Sequence, residues 1–190
     1  MPNIDFVVIT HEHYDHLDYK TIIDLKSKVS KFIVPLGVEK DLERFGISSS
    51  KIVNMSWWEE LDFNGLVIAC TPCRHYSGRF VLDKGMALYS SFIFKDSFNC
   101  VFVSGDTGYG DHFKEIGKRY NVDLAFLDSG QYSGKWHGYH MFPEEAVCAS
   151  SDLGSKVSMP VHWGAFSLSN HSFDDPVNRF VMRAREKGVL

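Results

Sequence analysis

A chain of 190 residues, 44% hydrophobic and 23% charged, fits one domain over 1–190 with room for a sizeable core. A net charge of −4 with histidine neutral, and no cluster of Lys and Arg, exclude a phosphate-backbone footprint, so no nucleic acid is expected as partner. No apolar run is long enough to span a bilayer, no secretory signal opens the sequence, and four cysteines are not a disulfide framework at this size; the default is a soluble, cytoplasmic protein.

Residues 5–9 read as a short buried strand, with Phe6, Val7, Val8 and Ile9 in one apolar run closed by Thr10. The loop that follows, His11-Glu12-His13-Tyr14-Asp15-His16, packs three imidazoles and two carboxylates into six residues. Neutral imidazole and carboxylate are the nitrogen and oxygen donors zinc prefers. The H-x-H spacing turns alternate side chains the same way at a strand end, and Asp15 and His16 then follow on a turn that can face a second ion. One motif of this length cannot complete two coordination spheres, so later parts of the chain must supply further ligands.

From Asp18, a capping residue, the pattern is helical, with Ile22, Ile23, Leu25 and Val29 on the apolar face. Residues 32–34 form a strand before Pro35, 38–45 a helix stopped by Gly46, and 52–55 another strand. Residues 61–63 and 66–70 flank Asn64-Gly65, the clearest hairpin signal in the chain. Cys70-Thr71-Pro72-Cys73 raises the question of a redox pair or half of a structural zinc site. No second C-x-x-C exists, Cys100 and Cys148 stand alone, and Cys70 falls inside a strand, so it reads as a small core residue.

The hairpin leads to His75, a third ligand for the first ion. Strands at 91–95 and 100–104 follow, the second running into Gly105-Asp106-Thr107-Gly108, where a short carboxylate flanked by glycines can approach and bridge two metals. A helix over 112–120 and a strand over 124–127 lead to Trp136 to His140, rich in aromatic and histidine side chains. Pro143 opens a helix whose Glu144 and Glu145 complement its dipole. A last strand over 157–160 delivers His162, and a helix over 175–187 closes the chain. His11, His13, His75, Asp15, His16, Asp106 and His162 thus all lie at or just past strand ends, where an α/β scaffold gathers ligands at one edge. Three histidines make one site, and Asp15, His16 and His162 another, with Asp106 between them.

His11-x-His13-x-Asp15-His16 with His75, Asp106 and His162 resembles the metallo-β-lactamase fold superfamily. The longer strings are similar to its N-acylphosphatidylethanolamine-hydrolysing phospholipase D branch: Thr71-Pro72-Cys73-Arg74-His75-Tyr76-Ser77-Gly78-Arg79, Ser104-Gly105-Asp106-Thr107-Gly108-Tyr109-Gly110, His140-x-x-Pro143-Glu144-Glu145-Ala146 and Pro160-Val161-His162-Trp163-Gly164-Ala165-Phe166. The resemblance implies an αββα sandwich. It implies His11, His13 and His75 on one zinc, Asp15, His16 and His162 on a second, Asp106 bridging, and His140 beside the substrate phosphate. Relatives carry a long segment before the motif, so the resemblance also implies an N-terminally shortened chain with an incomplete first half-sheet and a tendency to self-associate. Cys73 stands where relatives carry a smaller residue.

The expected function is a zinc-dependent phosphodiesterase of phospholipase D type, acting through a metal-bridging hydroxide. Asp15, Asp106 and His140 carry the chemistry, and two zinc ions, or other divalent transition metals, are the cofactors. Two alternatives are a sugar-phosphate lactonase or other ester hydrolase of the same fold, and a non-enzymatic metal-binding assembly module. A small-molecule or phospholipid substrate, peripheral membrane contact and a homo-oligomer complete the expectation. Trp136, Tyr139, Met141, Phe142, Trp163 and Phe166 either line an apolar approach for a lipid chain or fill the core.

Overall fold

Strand and helix alternate through the first 55 residues, and the result is a parallel sheet. The structure is a computed structural model and describes residues 2–80 and 83–189. Strands β1 (Ile4–Val8), β2 (Val29–Pro35) and β3 (Ile52–Met55) pair in that order, all parallel, with α1 (Tyr19–Leu25) and α2 (Glu39–Arg44) as the crossovers that parallel pairing requires. Asp18 starts α1 as expected: its side chain accepts from the Thr21 N–H at 2.7 Å. Val29 does not extend the helical face. It opens β2, buried and in register with Ile4, because a β-branched side chain gains more on a pleated, half-buried surface than at the end of a seven-residue helix.

The second sheet has six strands, β4 (Glu60–Phe63), β5 (Leu66–Thr71), β6 (Ser91–Lys95), β7 (Cys100–Val103), β8 (Leu124–Asp128) and β9 (Val157–Val161), in sequence order. Pairing is antiparallel as far as β7 and parallel from there to β9. Asn64 at φ 54° and Gly65 at φ 86° make the hairpin turn between β4 and β5; both central residues need the left-handed region, as in a type I′ turn. Helices α3 (His112–Arg119), α4 (Pro143–Leu153) and α5 (Asp175–Lys187) cover its outer face.

The period of two along each strand sorts the core into three layers. Phe32 and Val34 face α1 and α2 with Leu17, Ile22 and Leu42. Ile33 turns the other way and meets Met55, Ile68, Cys70 and Phe92 between the sheets. Ile93, Phe102 and Leu127 point outward to Phe113, Ile116 and Met141 under the remaining helices. The architecture is therefore αββα. Cys70 lies in the middle layer, its Sγ 3.1 Å from Ser90 Oγ, and its thiol is pushed up to about 11 by burial; all four cysteines are free. The smaller sheet has β1 at one edge, paired only with β2 among the described residues.

Candidate metal centre

Five strands end at the same edge of the sandwich. Past β1, the N–H groups of His16 and Leu17 both donate to the carbonyl of His13, at 3.0 and 2.8 Å. That turn folds Asp15 and His16 back beside His11. Past β5, His75 Nδ1 donates to the Tyr139 carbonyl at 3.0 Å. A carbonyl only accepts, so the proton sits on Nδ1 and the Nε2 lone pair turns inward, 3.1 Å from His13 Nδ1. Past β7, Asp106 is 4% exposed. Its Oδ2 lies 3.1 Å from His16 Nε2, 3.6 Å from His11 Nε2 and 3.9 Å from His75 Nε2, and its Oδ1 lies 3.2 Å from His162 Nδ1. Past β9, His162 Nε2 reaches Asp15 Oδ2 at 3.4 Å, the same distance as His16 Nε2.

All seven side chains singled out as ligands thus converge. They fall into two groups, His11-His13-His75-Asp106 and Asp15-His16-Asp106-His162, in each of which one donor atom per residue lies within 4.8 Å of the others. Backbone geometry is specialised around them. His162 sits at φ 65°, a region in which histidine is enriched among non-glycine residues but which still costs energy. Gly130 is required by the same chain segment: a Cβ there would meet the His162 carbonyl oxygen at 1.5 Å.

One buried acid went unrecognised in the sequence. Asp128, at the end of β8 and wholly buried, takes His140 Nδ1 on Oδ2 at 2.9 Å and His162 Nδ1 on Oδ1 at 3.2 Å. It forms a third donor group with Asp106, His140 and His162. The available signal was the one used for Asp106, a carboxylate at a strand end followed by small residues, here Ser129-Gly130. His140 itself lines a cavity of about 230 Å³ with Tyr76, Gln131, Trp136, Tyr139 and Leu168. A larger cavity of about 540 Å³, lined by His75, Lys84 and Tyr89, shares Tyr76, Trp136 and Tyr139 with it. Trp136 and Tyr139 therefore line an approach to the site, and Phe166 is exposed. Met141, by contrast, is core.

Donor chemistry fits a divalent metal. The Nε2 atoms of His11 and His13 are buried without a hydrogen-bond partner among the described residues, an arrangement that costs free energy unless something binds them. Burial pushes the His11, His13 and His75 imidazoles down, His75 to about 4, so these rings are neutral at pH 7, as ligands must be. His16 and His162 go the other way. Burial opposes their charge, but Asp106 and Asp15 beside His16 raise it to about 9, and Asp128, Asp15 and Asp106 raise His162 to about 11. Asp15 is held well below the usual carboxylate range by His16 and His162. Burial disfavours charge on Asp128, yet His140 and His162 depress it too. Clustered carboxylates that draw positive charge, beside neutral imidazoles with free lone pairs, are the donor set of a cation site.

Comparison with known proteins follows the same line. Residues 1–163 match the family described as "Beta-lactamase superfamily domain". An uncharacterized protein of Mycobacterium tuberculosis is 39% identical over 194 aligned positions, covering all of this chain and 52% of its own length. The mitochondrial N-acyl-phosphatidylethanolamine-hydrolyzing phospholipase D of Saccharomyces cerevisiae is 35% identical, covering 99% of this chain and 42% of its own. Among solved structures, Igni18, a metallo hydrolase of the archaeon Ignicoccus hospitalis, superposes with a TM-score of 0.75 at 27% identity, over 97% of this chain and 72% of that one. The chain spans about half the length of the curated relatives it matches.

Proposed function

Since the chain belongs to the beta-lactamase superfamily domain family, as a metallo-β-lactamase-fold member resembling the N-acylphosphatidylethanolamine-hydrolysing phospholipase D branch, we propose that it is a metal-dependent hydrolase, that its metals are two zinc ions, and that it cleaves phosphodiester bonds. The observation that carries this reading is the shared carboxylate: Asp106 belongs to both donor groups, His11-His13-His75 and Asp15-His16-His162. When bound, a pair of zinc ions supplies Lewis acidity and a coordinated water with a pKa lowered towards ~7.

The chain's own residues do the rest. Asp106, the acid shared by both groups, would accept a hydrogen bond from the attacking water, and Asp15 keeps His16 and His162 in place. His140 offers Nε2 to a phosphoryl oxygen or to the departing oxygen, the role of a general acid. Its Nδ1 is already committed to Asp128, which leaves Nε2 as the ring nitrogen that faces substrate. Tyr76, Tyr89, Trp136 and Tyr139 wall the larger cavity and exclude water from an apolar substrate part, while Lys84 at its rim favours an anion. A volume of about 540 Å³ suits a small molecule or one end of a lipid. Among the described residues no helix is long and apolar enough to cross a membrane; the exposed Phe166 and Leu168 beside the site support peripheral contact with a lipid surface.

The test is a panel of chromogenic phosphodiesters and lactones offered to the zinc-loaded protein. Hydrolysis of phosphodiesters, abolished by Asp106→Asn, is the expected result. Lactone opening with no phosphodiester turnover would replace this reading with a lactonase.

A further inference from the structure

We propose that Asp128 is a positioning residue that fixes which ring nitrogen of both His140 and His162 faces the site. Its carboxylate is fully buried and is itself tightly held. The Thr107 N–H donates to Oδ2 at 3.2 Å, the Gly130 N–H reaches Oδ1 at 3.5 Å, and the backbone N–H of Asp128 donates to Ser104 Oγ at 2.8 Å. The two oxygens are then divided between two imidazoles, Oδ2 to His140 Nδ1 at 2.9 Å and Oδ1 to His162 Nδ1 at 3.2 Å.

An ionised carboxylate only accepts. Both rings must therefore present an N–H at Nδ1, and each is left with Nε2 for other work. His162 turns Nε2 towards Asp15 and the second donor group. His140 turns Nε2 towards the cavity of about 230 Å³ that it lines. His162 Nδ1 also lies 3.2 Å from Asp106 Oδ1, but its hydrogen-bond alignment is with Asp128. One side chain thus orients a candidate ligand and a candidate proton donor together. Outer carboxylates that bond the far nitrogen of a ligating histidine fix its tautomer and raise its basicity; here the same carboxylate extends that control to a histidine outside the two ligand groups.

For His140 the inference rests on the reading of that residue as the group that meets substrate, and the experiment keeps the two apart. Asp128→Asn preserves shape but offers one acceptor oxygen and one NH2 donor where two acceptors stood. Proton NMR of the zinc-loaded parent, labelled with 15N-histidine, should show, beside the Nδ1–H of His75 on the Tyr139 carbonyl, two further downfield, exchange-protected Nδ1–H resonances, one of which vanishes in His140→Ala. Asp128→Asn should lose at least one of them, weaken zinc retention about 10- to 100-fold, and lower kcat for a phosphodiester about 100-fold with KM within twofold. With zinc saturating, adding Asp128→Asn to His140→Ala should lower kcat little further, since what is left of the effect of Asp128 then acts on His162 through zinc retention. A parent without these two resonances overturns the proposal even if the variant fails to fold. So does a folded Asp128→Asn that keeps both resonances, or one that loses zinc while both persist, which would make Asp128 a ligand instead. A parent that hydrolyses no phosphodiester would refute the proposed function and leave the spectra to decide the role of Asp128.

Discussion

Gly130→Ala is expected to disable half of the metal centre through a single methyl group. The added Cβ would lie 1.5 Å from the His162 carbonyl oxygen, 2.0 Å from its carbonyl carbon and 2.6 Å from the Trp163 nitrogen, all backbone atoms. Ordinary contact begins near 3.4 Å, so the 162–163 backbone must retreat by about 1.9 Å, far more than a packed interior absorbs by small adjustments. That retreat weakens the bonds that tie β9 to β8, Ser129 N–H to the Val161 carbonyl at 3.2 Å and Gln131 Nε2 to the His162 carbonyl at 3.3 Å. Overpacking of this kind costs about 1–3 kcal/mol, and a displaced His162 leaves its group one donor short. The expected outcome is one zinc ion lost per chain relative to the parent by elemental analysis, with the His11-His13-His75 ion retained, and a denaturant midpoint lowered accordingly. Gly134→Ala is the control, since nothing lies within 4 Å of its Cβ and its φ is not in the left-handed region. If Gly130→Ala binds as much zinc as the parent and unfolds at the same midpoint, the close approach of these two strand ends does not hold His162 in place.

Three further outcomes are expected. His140→Ala should keep its zinc but hydrolyse phosphodiesters ~10²-fold more slowly, as loss of a general acid does, whereas His162→Ala should lose one ion; elemental analysis beside initial rates distinguishes them, and equal zinc loss in both would remove His140 from its role. Chelation should lower the thermal midpoint and added zinc restore it, because the buried Nε2 atoms of His11 and His13 lack hydrogen-bond partners among the described residues; free zinc at 100 times its dissociation constant stabilises by about 2.7 kcal/mol, and a midpoint indifferent to both treatments contradicts metal binding at these atoms. Phe92→Ala, in the layer between the sheets, should destabilise by about 3–5 kcal/mol in a denaturant titration, and a loss below 1 kcal/mol would mean that the two sheets do not depend on this contact.

Much of this was legible in the amino-acid sequence because the chain signals strand ends strongly. Apolar runs such as Phe6 to Ile9 and Val101 to Val103 stop at polar, small or metal-binding residues, and the order of strands and helices allows few topologies. The Asn64-Gly65 turn was readable because few residues tolerate its two left-handed positions. Val29 was misread as helical because periodicity cannot see that a parallel partner, Ile4, lies across from it. Asp128 escaped for a related reason. A lone aspartate after a strand is chemically silent until its partners, His140 at 12 residues' distance and His162 at 34, are brought to it by folding. For Met141 the sequence left lining and core both open, and the structure places it in the core, while its neighbour His140 lines the cavity.

The register of the second sheet explains why chemistry gathers where it does. β7, β8 and β9 are parallel, with Val103 opposite Phe126 and Asp128 opposite Val161. Their carboxyl ends are therefore level, and the next residues in line, Asp106, Asp128 and His162, arrive side by side. β5 runs in the same sense, since two antiparallel pairings separate it from β7, and so it delivers His75 to the same edge. β1 belongs to the other sheet and brings His11, His13, Asp15 and His16 across the gap. A register slip of one residue in β8 would turn Asp128 to the opposite face and bury Leu127 where the carboxylate stands, leaving the Nδ1 atoms of His140 and His162 without their shared acceptor. Register, fixed by Ala125 and Leu127 beneath the helices, is thus what links hydrophobic packing to the direction in which two imidazoles point.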